Sequence, residues 1–173
     1  MMSVPLAQIV GSQGRAVGVD NSQVMLEACR KWSEGVDLPE EFFPGDIHHL
    51  DFADATFDGC RTERVLQHCV DPMQALTEMV RVVRPGGSVV VTDVDFDSIL
   101  THLSNLELAQ KLNRWRGYGR KWMARALPAM FHQLGLTDIR IVPVATYYTE
   151  YQDQKGIPTA WPPYRGGSCR NQA

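Results

Sequence analysis

The stretch from Pro72 to Asp95 constrains the fold more than any other part of the chain. Ala75, Leu76, Met79, Val80, Val82 and Val83 recur at helical spacing, with Gln74, Thr77, Glu78 and Arg81 between them on the wetter side. That pattern predicts a helix burying one face. Pro85 disfavours helical geometry at Arg84, and Gly86 and Gly87 let the backbone reverse, so the helix is expected to stop there. Ser88-Val89-Val90-Val91-Thr92 follows as a β-branched run without alternation. Such a run fits a strand covered on both faces, as in a parallel sheet. Asp93, Asp95 and Asp97 stand at its far end.

A chain of 173 residues holds one domain with a real core and leaves little room for a second. Its 17 basic and 20 acidic residues give a net charge of -3, which offers no global attraction to nucleic acid or to an anionic membrane surface. A small-molecule partner is therefore expected, with no nucleic acid and no membrane. Cys29, Cys60, Cys69 and Cys169 form no CxxC pair, and most lie in apolar segments where a thiol acts as a small hydrophobe. A reduced, cytoplasmic setting fits that usage. The sequence has no apolar run of about 18 residues and no signal-peptide pattern at its start.

Along the chain, Pro5 to Val10 reads as the tail of a helix and Arg15-Ala16-Val17-Gly18-Val19 as a strand ending at Asp20. Asn21 or Ser22 caps the next helix, whose expected apolar stripe is Val24, Met25, Ala28 and Trp32. Glu40 to Pro44 is a second short strand, ending at Gly45-Asp46-Ile47. Again an acid sits just past the apolar part. Phe57 to Thr62 is a strand by context more than by propensity. After Asp97 come two amphipathic stretches expected to cover the mouth of the sheet, the second running from Trp122 to Leu134 and interrupted by Pro128. Ile139 to Val144 predicts a late edge strand, since Pro143 cannot donate to a ladder. Residues 1–151 are read as one α/β domain and residues 152–173 as a loose tail rich in Pro and Gly. His48-His49 with Asp51 and Asp54 reads as a solvated loop, so no metal is expected. The basic stretch from Arg114 to Arg125 reads as an exposed helix face.

Glu78-Met79-Val80-Arg81-Val82-Val83-Arg84-Pro85-Gly86-Gly87 and the apolar strand after it resemble the fourth-helix and fifth-strand segment of class I S-adenosylmethionine-dependent methyltransferases. The resemblance spans about Leu6 to Tyr151. It implies a Rossmann-like, doubly wound α/β fold with a mostly parallel sheet, and S-adenosyl-L-methionine as cofactor. Asp20 matches the acid that accepts the ribose hydroxyls, although an Asp there also serves as a plain helix cap. Asn21 would flank adenine and Met25 would pack beneath it, unless Met25 is simply core. Asp46 and Ile47 match the third-strand motif that meets the adenine amino group and ring, where a surface Gly-Asp turn is the bland alternative. Glu63 and Arg64 lie in the segment that faces the methionine end, as ligands for an ammonium and a carboxylate or as ordinary loop charges. His68 is the candidate general base, or else a structural histidine at a helix start.

The family's glycine-rich first motif has no counterpart before Pro5, and the tail after Tyr151 does not resemble its final strand. An incomplete sheet is therefore expected, with the first central strand and the last strand missing, together with self-association through the open sheet. The implied function is methyl transfer to a small-molecule acceptor, inactive if the truncation removes the cofactor site. Two alternatives stand beside it: a non-catalytic remnant that binds a partner chain, and, last, a nicotinamide-dependent dehydrogenase.

Overall fold

The computed structural model describes residues 9–34, 40–98, 105–115, 122–145 and 169–170. They fall into two compact units, one comprising the described residues up to Asp51 with 142–145, the other those from Phe52 to Ile141 with 169–170.

The first unit is a parallel pair with a helical crossover. Strand β1 (Ala16–Asp20) pairs with β2 (Glu40–Pro44) from Ala16↔Glu40 to Asp20↔Pro44, and helix α1 (Gln23–Ser33) connects them. Ser22 caps α1, its hydroxyl accepting the Met25 N–H at 3.4 Å. The helix does not bury the expected stripe. Leu26 is its buried residue, whereas Val24, Met25 and Trp32 are exposed. Leu26, Cys29 and Ser33, at i, i+3 and i+7, make the inner face instead, with Ala28 half-buried beside them. Of the helix expected at Pro5 to Val10, Ile9 and Val10 are helical and the rest lies outside the described residues.

In the second unit, β3 (Phe57–Glu63) runs parallel to β4 (Val83–Thr92), joined through a 3-10 turn (Leu66–His68) and helix α2 (Pro72–Arg81). Asp71 caps α2 by accepting the Met73 and Gln74 N–H groups, each at 3.0 Å, and Pro72 opens its first turn, where its missing N–H costs nothing. Leu66, Ala75, Leu76, Met79, Val82, Val83 and Val89 form the core of this unit.

Helix α2 ends earlier than Pro85 requires. The Arg81 and Val82 carbonyls, which a longer helix would use, accept the N–H groups of Ala55 and Phe57, both at 2.9 Å. Val83 therefore starts β4. Glu78, expected on the wet side, is buried because Arg81 neutralises it through two hydrogen bonds of 2.7 and 2.8 Å. The same guanidinium donates to the Phe52 carbonyl at 2.7 Å and to Asp54 at 2.8 Å.

Pro85-Gly86-Gly87 is an excursion within β4 rather than a turn before it. The pairing passes from Phe57↔Val83 to Gly59↔Ser88, so Arg84 to Gly87 bulge out opposite Asp58. Gly86 has φ +76°, and a Cβ on Gly87 would stand 2.6 Å from the Asp58 carbonyl oxygen. Cys169–Arg170 forms β5, antiparallel to β4 through Val89↔Cys169 and Ser88↔Arg170. Helix α3 (Leu106–Trp115) and helix α4 (Met123–Gln133) follow β4, and α4 continues through Pro128 while burying Met123, Leu127 and Phe131 at spacings of four. Ile139 to Val144 is not a strand, and Ile141, Val142 and Val144 are exposed. Among the described residues no helix is long and apolar enough to cross a membrane.

Removing the Arg81 side chain strands the Glu78 carboxylate in the core. Arg81→Ala is expected to cost roughly 3–5 kcal/mol in equilibrium urea unfolding, and pairing Arg81→Met with Glu78→Leu should recover most of that loss. An undiminished midpoint for Arg81→Ala would show that the junction does not hold the unit together.

Candidate functional site

In the first unit the carboxyl ends of β1 and β2 lie side by side, because Asp20 is in register with Pro44 and the Gly45 N–H donates to the Asp20 carbonyl at 3.1 Å. Ligands of open α/β sheets bind at such ends. The structure thus brings Asp20 and Asn21 beside Asp46 and Ile47. Asp20 Oδ1 accepts the Ser22 N–H at 2.8 Å, while its Oδ2 takes no hydrogen bond among the described residues. One carboxylate oxygen thus orients the loop. Met25 is 43 % exposed, so it is not simply core.

Asp46 is held differently. Its Oδ1 accepts the His48 N–H at 2.9 Å and lies 2.6 Å from His48 Nδ1, and the His49 N–H closes the turn onto its carbonyl at 2.9 Å. The backbone bond first, and the ring second, hold its carboxyl below the usual aspartate range. The expected Gly-Asp turn is therefore present, and it fixes Asp46 as a carboxylate. Among the described residues, no three His, Cys, Asp or Glu side chains are grouped to hold a metal.

In the second unit, Glu63 and Arg64 stand at the end of β3, with Asp93 just past the end of the neighbouring β4. Arg64 adopts φ +54°, a left-handed conformation that bulky residues rarely take, and its N–H donates to the Thr92 carbonyl at 2.7 Å. Glu63 is largely buried between the Arg61 and Arg64 guanidiniums, each 3.7 Å away, and its Oε2 has no hydrogen-bond partner among the described residues. His68 is exposed, with Nε2 3.0 Å from Gln67 Nε2. Arg125 of α4 reaches Asp95, beyond the β4 end, at 2.6 Å.

Two polar residues here carry no role in the sequence reading. Gln67 is 4 % exposed and Asp93 is half-buried. Asp93 follows the rule that singled out Asp20 and Asp46, an acid just beyond an apolar strand. Gln67 had no such signal, being one polar residue between Leu66 and Cys69 beside an equally polar His68. Cys60 offers no ready thiolate, since desolvation pushes it up to about 11.

The profile of the family described as "Methyltransferase domain" matches residues 2–91. An uncharacterized 37.1 kDa protein in transposon TN4556 of Streptomyces fradiae is 43% identical over 109 residues, covering 63% of this chain and 31% of that protein. A demethylmenaquinone methyltransferase of Bacillus cereus is 39% identical over 89 residues, 51% of this chain and 38% of its own length. The chain thus spans between 31% and 38% of the length of these relatives. A solved SAM-dependent methyltransferase from Aquifex aeolicus superposes with a TM-score of 0.62 at 17% identity, over 82% of this chain and 69% of that structure. The shared fold is the Rossmann-like α/β fold that the sequence pattern anticipates.

Burial raises the Asp93 carboxyl above the usual aspartate range, against the N–H groups of Val94, Gln67 and Leu66 and the nearby His68, which lower it. Its stabilising contribution is therefore full below the unfolded-state value and lost as pH rises through the folded-state value. Carboxyl NMR titration should place the Asp93 midpoint above that of a model aspartate. In His68→Ala the midpoint should move further up, because a neighbour that lowers it is lost; an unmoved midpoint would separate the two side chains electrostatically.

Proposed function

Because the chain belongs to the methyltransferase domain family, we propose that it serves S-adenosyl-L-methionine-dependent methyl transfer to a small-molecule acceptor. The observation that carries this reading is the Asp20 carboxylate at the end of β1, anchored through Oδ1 to the Ser22 N–H. Its second oxygen suits a ribose hydroxyl. The cofactor supplies an electrophilic methyl group on a sulfonium, and the protein's part is to hold and orient the reactants and to exclude water.

On this reading the first unit takes the adenosyl end. Asp20 accepts from the ribose, Asn21 and the exposed Met25 side chain flank adenine, Asp46 accepts from the adenine amino group, and Ile47 packs against the ring. Glu63 and Arg64 match the segment that the family resemblance assigns to the methionine end. Glu63 there has a buried oxygen without a hydrogen bond, suited to an ammonium, and Arg64 is a half-exposed guanidinium suited to a carboxylate. The cysteine usage of the sequence, with no CxxC pair among its four cysteines, supports a reduced, cytoplasmic setting for the reaction. The match to relatives named as demethylmenaquinone methyltransferases supports a ring compound among the acceptors to be tested.

Calorimetric titration with S-adenosylhomocysteine tests the cofactor half without a known acceptor. The native chain should bind it, and Asp20→Ala should weaken binding at least about tenfold, as expected for losing a charged acceptor of a ribose hydroxyl. A folded native chain that does not bind S-adenosylhomocysteine would overturn the proposal.

A further inference from the structure

Gln67 is buried, yet half of its amide is unused. Its Nε2 lies 3.0 Å from His68 Nε2, while Oε1 is shielded from solvent and has no hydrogen-bond partner among the described residues. A buried carbonyl oxygen left unpaired costs roughly 1–3 kcal/mol, so its retention points to a donor that arrives with a ligand. The backbone around it is fixed. The Gln67 N–H donates to Asp93 Oδ2 at 3.1 Å, the His68 N–H to the Val65 carbonyl at 2.9 Å, and the Asp93 Oδ1 is taken by the Val94 N–H at 2.9 Å. These bonds tie the 3-10 turn to the end of β4, where ligands of parallel sheets are bound. An imidazole Nε2 that accepts from the amide nitrogen turns the amide one way and commits Oε1 to the acceptor role.

Resting on the methyl-transfer reading above, we propose that Gln67 is the residue that recognises the methyl acceptor: its Oε1 accepts a hydrogen bond from a hydroxyl on the acceptor, and His68 positions the amide. Glu63 and Arg64 already supply the charges suited to the cofactor's amino-acid end, whereas Gln67 is neutral and suits a neutral donor. A site built around a buried acceptor atom rejects an analogue that cannot donate far more strongly than an apolar pocket rejects a size change.

The probes are 1-naphthol, which donates a hydrogen bond, and 1-methoxynaphthalene, which cannot. Both are titrated calorimetrically into the full chain saturated with S-adenosylhomocysteine. The native chain should prefer 1-naphthol by at least about tenfold, and Gln67→Met should bring the ratio near one while S-adenosylhomocysteine affinity stays within about twofold. His68→Ala, a change at an exposed side chain, should lower the ratio part-way by freeing the amide to turn. An equal ratio in the native chain and Gln67→Met overturns the assignment, as does failure of 1-naphthol to bind. A fall in S-adenosylhomocysteine affinity in folded Gln67→Met assigns the residue to the cofactor instead. If the native chain does not bind S-adenosylhomocysteine, the methyl-transfer reading fails and this one with it; cofactor binding without the naphthol preference overturns this one alone.

Discussion

The Arg81 guanidinium holds together the part of the chain on which the second unit depends. It neutralises Glu78 inside the core, donates to the Phe52 carbonyl and reaches Asp54, so the end of α2 and the approach to β3 are tied at one point. The Ala55 and Phe57 N–H groups then take the last helical carbonyls, with Ala55 held at φ +55° to present its own. This fixes Phe57 opposite Val83, and the register of β3 on β4 follows from it. A buried ion pair of this kind adds less net stability than its geometry suggests, because two charges leave water. What it contributes is a single place for the helix to stop.

That stopping place decides which residues meet at the other end of the strands. With Val83 opposite Phe57 and the surplus of Arg84 to Gly87 bulged out against Asp58, Glu63 comes opposite Thr92 and Asp93 lies one residue further on. Gly87 permits the excursion because its missing Cβ leaves space for the Asp58 carbonyl. The strained Arg64 is held by its bond to the Thr92 carbonyl. Backbone strain, a largely buried Glu63 and an unpaired Gln67 oxygen thus come together at this strand end.

The first unit solves a simpler problem. A parallel pair needs a crossover, and α1 supplies it with one buried leucine and a serine cap. Its two acids are held unequally: Asp20 uses one oxygen on the backbone, whereas Asp46 is bonded to both the backbone and the ring of His48. His48, read from the sequence as part of a solvated loop, is engaged with the neighbouring carboxylate.

Most strands and the acids at strand ends were legible in the sequence because both depend on local chemistry, although Ile139 to Val144, also rich in β-branched residues, is not a strand. β-branched runs make Ala16–Asp20 and Ser88–Thr92 extended, and an acid just past such a run is visible without any tertiary knowledge. Asp20, Asp46, Glu63 and Arg64 are nominated that way, by pattern or by the family resemblance. The helix faces were less legible, since periodicity tells that a face is buried but not which neighbour covers it: Leu26 displaced the Val24 and Trp32 stripe, and Glu78 went inside because Arg81 could follow it. The place where α2 ends, the bulge at Pro85 to Gly87 and the unpaired Oε1 of Gln67 belong to the tertiary structure alone. Each is set by hydrogen bonds to residues distant in sequence, or by their absence in a buried place, and no local pattern records those.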